Sequence, residues 1–245
     1  MPAHPYQRKA GVNYLRGATQ LNIMSRKSKH LLYGINAVTD LITHRANAIE
    51  SIYVDKARHD PRMQRLIDAA SAKNIALQQC SRADFDDLLS QADFGRDAVN
   101  HQGVLAQHQP QTEKNESFLK DLVQFKNGND KPLLLLVLDC VTDPHNLGAC
   151  LRSGNAAGVD AVIVPKDKAV GLTAVVRKVA SGAAETTPLV VVKNLARSLV
   201  SLQEAGVWIM GAASESTNTL YDIDLKGDVA IVMGSDGSGL RRLTR

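Results

Sequence analysis

Residues 133–138 read Leu-Leu-Leu-Leu-Val-Leu, six apolar side chains in unbroken succession. Neighbouring side chains of a strand point to opposite faces, so a strand with water on one side has to alternate apolar and polar residues. This run does not alternate. Both of its faces need cover, as in a parallel sheet with helices above and below. Further apolar strands follow in DAVIVP (160–165), PLVVVK (188–193), VWIMG (207–211) and DVAIVM (228–233), and helical segments fill the intervals at 147–158, 172–182 and 195–205. The pattern predicts an α/β domain on a mainly parallel sheet over residues 132–245.

The first half of the chain has a different texture. From Leu31 it alternates a helix in GINAVTDLITH, a strand in IESIYVD, a helix near PRMQRLIDAASA, a strand in IALQQ, another helix, and a strand in QGVLAQ ending near residue 107. This is a second, smaller α/β unit over residues 30–107. Residues 108–131 are rich in Gln, Asn, Lys and acids and carry one short amphipathic stretch around FLKDLVQF, so they are expected to connect the two units, with at most a single helix.

Charge separates the N-terminal tail from the rest. The chain carries a net +4, yet residues 1–30 hold six of the 29 Lys and Arg and none of the 25 acids, so the remainder is slightly acidic. Residues 1–29 are expected to be a disordered basic tail. It reads either as an arm that attracts phosphate or as sequence upstream of a natural start at Met24, the second being preferred because organised pattern begins only at His30. No apolar run approaches the roughly 20 residues of a membrane span. Aromatic residues make up only 4% of the chain, which argues against recognition by stacking unpaired bases on several exposed rings. Cys80, Cys140 and Cys150 form no CxxC pair and are odd in number, so reduced thiols used as small core residues in a cytoplasmic protein are expected, without a metal site.

Three loops follow predicted strands and outrank other polar segments, because open parallel sheets bind ligands at the carboxyl ends of their strands. In DCVTDPHNLGACLRS (139–153), Asn146 is placed to cap the helix that carries Arg152, an ordinary structural role. The two lie six positions apart on one element, so an amide at the helix mouth and an arginine leaning back toward it could also serve a phosphate or a developing oxyanion. His145 beside them reads more simply as a turn residue than as a base. The loop after VWIMG, at Gly211 and Ala212, is a weaker candidate. The glycine loop GSDGSG (234–239), with a helix expected near Leu240, gives backbone that a nucleotide-like ligand can approach. Its order is GxxGxG rather than GxGxxG and no ribose-binding acid follows, so a dinucleotide site fits poorly, and a plain glycine-rich turn explains it as well.

Taken together, DPHNLGACLRSGNAAGVDAVIVPK (143–166), KVASGAAE (178–185) and VMGSDGSGLRRLTR (232–245) resemble the signature motifs of the SpoU (TrmH) branch of the SPOUT RNA methyltransferases. YGINAV and HQGVLA resemble the RNA-binding domain that precedes them in some members. The resemblance covers nearly everything from residue 31. It implies a homodimer with an S-adenosylmethionine site in a trefoil-knotted C-terminal domain and an N-terminal domain similar to ribosomal protein L30e. It further implies 2′-O-methylation of a guanosine ribose in the peptidyl-transferase loop of 23S rRNA. Asn146 and Arg152 match the first motif and Gly234 the second, where Asp236 stands in place of the usual Glu. The resemblance implies catalytic roles for Asn146, Arg152 and Asp236, and donor contacts at Gly234, Gly237, Gly239 and Ala212. Lys166, Lys168, Arg177 and Lys178 are expected to track the RNA backbone. The family pattern continues past the equivalent of Leu243-Thr244-Arg245 into a strand, a Ser-Leu-Asn motif and a last helix, so the reading is of a methyltransferase domain without its last motif, a fragment rather than a chain that has lost catalysis. The competing readings are an RNA-binding homologue unable to bind the donor and a dinucleotide-dependent enzyme using the glycine loop.

Overall fold

The computed structural model describes residues 30–90, 100–126, 131–235 and 239–241, so the basic tail lies outside the described residues. Contacts divide the chain into two units, with the boundary between Pro110 and Gln111.

The first unit is a four-stranded mixed sheet with helices on both faces. Its strands are β1 (Leu31–Tyr33), β2 (Ile49–Asp55), β3 (Leu77–Cys80) and β4 (Val104–His108), in the order β1-β4-β2-β3. β4 runs antiparallel to β1 and β2, whereas β2 and β3 are parallel. Helices α1 (Ile35–Arg45) and α2 (Pro61–Ala72) cover one face, and α3 (Arg82–Ser90) covers the other. β2 shows why both are needed: Ile52 and Val54 enter the core with α1 and α2, and Tyr53 enters the core with Phe85 and Leu88 of α3. Asp60 starts α2 by accepting the backbone N–H groups of Arg62 and Met63, with Pro61 in the first helical position where no donor is required.

The second unit is built on five parallel strands: β5 (Leu134–Leu138), β6 (Ala161–Pro165), β7 (Leu189–Val192), β8 (Trp208–Ala212) and β9 (Val229–Met233). Their order is β7-β6-β5-β9-β8. Helices α4 (Glu116–Lys126) and α8 (Leu195–Glu204) lie on one face, with α5 (Pro144–Ala157), α6 (Ala174–Ala180) and α7 (Ala183–Thr186) on the other. The apolar run that predicted this arrangement divides as expected. Leu135 and Val137 pack toward α4 and α8, while Leu136 and Leu138 pack toward α5 and α6. Each fully buried Leu contributes roughly 1.5–3 kcal/mol of transfer free energy, so this short strand is a large share of what holds the two layers together.

The segment expected as a connection, residues 108–131, is shared out. His108 ends β4, Gln111–Asn115 and α4 belong to the second unit, and residues 127–130 lie outside the described residues. Lys114 pairs beside Val190 as an added parallel edge, donating to the Leu189 carbonyl at 2.7 Å and accepting from the Val191 N–H at 2.8 Å. α4 joins the core through Leu119 and Val123. Composition hid this because only one face of that helix is apolar and its other residues are charged or polar.

From β5 the chain steps outward through β6 to β7; β8 then lands on the opposite edge and β9 inserts between β8 and β5. The connections therefore diverge between β5 and β9, and a crevice at the carboxyl ends of strands on either side of such a point is where open α/β sheets receive ligands.

Candidate active site

β5 and β9 are in register from Leu134↔Val229 to Leu138↔Met233, so Asp139 and Gly234 leave the sheet side by side. The Asp139 N–H donates to the Met233 carbonyl at 2.8 Å and extends the ladder by one bond. The next strand, β8, pairs Ala212 with Met233. The three loops singled out in the sequence thus start from three adjacent strand ends.

Asp139 is the centre of this edge, and sequence reasoning did not single it out. Its side chain has no exposed surface, and it accepts from Arg241 three times: Nε at 2.6 Å and Nη2 at 2.6 Å on Oδ1, and the backbone N–H at 3.1 Å on Oδ2. A buried carboxylate is tolerated only with such partners. The bond ties the return of the glycine loop to the end of β5, 102 residues earlier in the chain. The available signal was an acid standing immediately after the apolar run at a carboxyl strand end.

Gly234 and Gly239 are brought together. A Cβ on Gly234 would lie 2.1 Å from the Gly239 carbonyl carbon, Ser235 and Gly239 form a bridge, and the Gly239 N–H donates to the Ser235 carbonyl at 3.0 Å. Gly239 has φ +62, in the left-handed region that glycine enters without cost, and the space around its missing Cβ is open. Leu240 turns back into the core, 3.0 Å from where a Cβ on Gly211 would stand. Asp236 and Gly237 lie outside the described residues, as does most of the helix expected near Leu240; of the described part, Gly239 is a bridge residue and Leu240 a bend.

On the β5 side, the helix cap differs from the expectation. Asp143, not Asn146, caps α5, accepting the His145 N–H at 3.0 Å, and Pro144 occupies the first helical position. Asp-Pro serves this role because the aspartate meets an orphan donor while proline gives none up. Asn146 is left half-buried in the first turn, where its amide is not spent on the cap. Arg152 is on the exposed side of the same helix, about 9 Å further along its axis, and its guanidinium makes no ion pair or hydrogen bond among the described residues. α5 can lie close to α6 because of Gly148, where a Cβ would come 2.6 Å from that of Val179. Ala212 is exposed at the end of β8.

Cys140, the residue after Asp139, adopts φ 64, which L side chains avoid, and burial pushes its thiol above the usual range against the pull of Arg241. It is half-buried like Cys150, so of the three thiols expected in cores only Cys80 is fully buried, its pKa pushed up to about 11 by burial first and then by Asp84 and Asp55. Among the described residues no group of three His, Cys, Asp or Glu is placed to hold a metal, and no helix is long and apolar enough to cross a membrane.

One of the cations expected to follow RNA needs correction. Arg177 is bound to Glu185 and donates to the Gln111 carbonyl at 2.6 Å, and the same Glu185 accepts the Gln111 N–H at 2.8 Å. With Glu185 only 4% exposed, this arginine balances a buried carboxylate and fixes the start of the second unit. Lys166, Lys168 and Lys178 are exposed.

A parallel sheet with ligand-ready loops at its switch point and a paired acid and arginine holding one of them is the architecture of a nucleotide-handling α/β enzyme. The chain belongs to the SpoU rRNA methylase family, matched over residues 133–245, and residues 31–113 match the RNA 2'-O ribose methyltransferase substrate-binding family. It is 47% identical to the 23S rRNA (guanosine-2'-O-)-methyltransferase RlmB of Pseudomonas aeruginosa, over 87% of this chain and 82% of that protein. It is 48% identical to the protein of the same name from Vibrio cholerae, over 89% of this chain and 84% of the relative. The AdoMet-bound rRNA methyltransferase of Sinorhizobium meliloti has a similar fold, with a TM-score of 0.54 at 17% identity over 87% of this chain and 73% of that one.

Proposed function

We propose that this chain transfers a methyl group from S-adenosylmethionine to the ribose 2′-oxygen of a guanosine in 23S rRNA, in the peptidyl-transferase loop. The observation that carries this reading is the shared edge of β5, β9 and β8. There the Asp139–Arg241 pair holds a glycine loop beside the start of α5, and Arg152 of that helix is exposed and unpaired among the described residues. The relatives that match both units carry this activity in their names.

The residues present suit the donor. Gly211 and Ala212 are exposed at the end of β8 and offer no side chain beyond a methyl group, and Gly239 faces open space. With Gly234 and Gly237, these positions would hold its nucleoside against backbone. The bound donor supplies an electrophilic methyl carbon on a positively charged sulfur. The protein's own part is mostly placement, which in favourable cases is worth ~7–11 kcal/mol of barrier. A guanidinium stays protonated at ordinary pH, so Arg152 holds the phosphate of the target nucleotide and stabilises the oxyanion as the 2′-hydroxyl gives its proton to solvent water and its oxygen takes the methyl group from the donor sulfur. Asn146 and Asp236 orient it. The full-length protein acts as a cytoplasmic homodimer whose second unit is of the trefoil-knot type.

The test is transfer of labelled methyl groups to 23S rRNA transcripts, with the modified nucleotide mapped by its resistance to alkaline cleavage. Incorporation at a guanosine 2′-oxygen is expected, and Arg152→Ala should lower turnover by at least 100-fold while donor affinity stays within twofold. Incorporation on a base, or an unchanged Arg152→Ala rate, would refute the assignment.

A further inference from the structure

The same carboxyl edge of the sheet continues past β5 to β6 and β7, and three lysines stand on neighbouring strands there: Lys166 and Lys193 at the paired ends of β6 and β7, and Lys114 on the added edge opposite Val190. Lys166 follows β6, Lys193 follows β7 and Lys114 lies on the edge segment; with Glu113, Asn115 and Phe118 among their neighbours they line a cleft of about 420 Å³. Backbone bonds set this placement: the Lys166 N–H donates to the Val192 carbonyl at 2.8 Å, and Lys114 is paired with β7 on both sides. Glu113, which also lines the cleft, accepts the Leu172 N–H at 2.9 Å, and Glu116 accepts the Lys193 N–H at 2.7 Å, bonds that fix both carboxylates in place and leave them charged. Lys166 and Lys193 are exposed, and their ammonium groups have no carboxylate partner among the described residues. The Lys114 ammonium is 5.8 Å from the centre of the Phe118 ring, an attraction that steadies it without neutralising it.

Three like charges lining one cleft repel one another unless an anion joins them. With three lysines against the one lining carboxylate, Glu113, the cleft keeps a positive balance that an anion can meet. We propose that this cleft binds a phosphodiester of the substrate RNA flanking the methylated nucleotide. β7 is two strands from β5, about 10 Å, which is the distance of a neighbouring stretch of the same RNA strand from a ribose held at the β5 end. The proposal rests on the RNA methyltransferase reading and adds a second anchor: Lys166 closes the motif that contains Asn146, whereas Lys193 and Lys114 lie outside both signature motifs.

The experiment compares the wild-type chain, Lys166→Gln/Lys193→Gln, and a charge-matched control, Lys120→Gln/Arg197→Gln, on the exposed sides of α4 and α8. Affinity for a 23S rRNA transcript is measured from 50 to 200 mM salt, with donor binding by calorimetry alongside. Each lost phosphate contact lowers the salt slope by about 0.7–0.9. The cleft variant is expected to bind roughly tenfold more weakly at low salt, with a flatter slope and unchanged donor affinity, and the control to match the wild type. Equal losses in cleft variant and control, or none in either, would overturn the cleft while leaving the methyltransferase reading intact. A wild-type chain that binds no rRNA would overturn both.

Discussion

Exchanging Arg241 for Gln removes the cation from a carboxylate that has no exposed surface. The Asp139 oxygens would keep the backbone N–H of residue 241 at 3.1 Å and lose the two guanidinium bonds at 2.6 Å. Stranding a buried charge costs about 3–5 kcal/mol; since the arginine is 42% exposed, water can enter in its place, and the lower end, about 3 kcal/mol, is expected. Asp139→Asn keeps the shape but turns charge-assisted bonds into neutral ones, about 2 kcal/mol. In the double variant no charge is left stranded, so its loss should be about 3 kcal/mol rather than the additive 5, a coupling of about 2 kcal/mol. The single tryptophan, Trp208, lies on β8 and reports on the second unit alone in urea titrations. With a slope of about 2 kcal/mol per molar, Arg241→Gln moves the midpoint down by about 1.5 M. Screening by salt should scarcely change the coupling, because one partner is fully buried. Single-variant losses that add to within 0.5 kcal/mol would refute the view that this pair pins the glycine loop.

Three further outcomes follow from particular atoms. Gly234→Ala puts a methyl 2.1 Å from the Gly239 carbonyl carbon, so the loop has to open; donor affinity measured by calorimetry should fall at least tenfold, with about 1–3 kcal/mol of stability lost, and unchanged affinity would mean the loop is not a donor contact. Cys140→Gly relieves a left-handed backbone at φ 64 and should raise the Trp208 midpoint by the equivalent of about 1 kcal/mol; a lower midpoint would show that the thiol contributes more than the strain costs. His101 stacks on Phe85 at 4.6 Å and accepts the Gly103 N–H on Nδ1, and its pKa is lowered, first by burial, against the pull of Asp55. The unfolded chain therefore binds the proton more readily, so this contribution to stability is complete above pH 6.5 and is lost as pH falls through the lower folded value. An imidazole titration by NMR at or above 6.5 would contradict it.

The layers of the fold were legible because burial leaves a mark on every residue of a strand. Leu135 and Leu136 face opposite cores, and only a two-sided sheet accommodates both. In the first unit, Ile52, Tyr53 and Val54 gave the same message in a mixed sheet. Strand order left no such mark. That β9 slips between β5 and β8 depends on pairing between strands nearly 100 residues apart, and each of those strands would look the same at an edge. The start of the second unit misled for a related reason: Gln111 is polar, and nothing in its neighbours says that its backbone meets the buried carboxylate of Glu185.

The site divides along the same line. Glycines and an Asp-Pro turn announce backbone geometry, so the loops at 143–146 and 234–239 could be picked out before any contact was known. Charged partners announce nothing until both are placed. Asp139 and Arg177 were each one charge among many in sequence; one turns out to be fully buried and gripping Arg241, the other to be consumed by Glu185. A cation satisfied inside the protein is a poor ligand for an external phosphate, because binding would have to strand its internal partner at a cost of several kcal/mol. That criterion removes Arg177 from the RNA surface and retains Arg152, Lys166 and Lys193, whose charges have no internal claim among the described residues. Charge reversal at Arg177 should accordingly register as lost stability of the second unit, whereas at Lys166 it should register as lost RNA affinity with the urea midpoint unmoved.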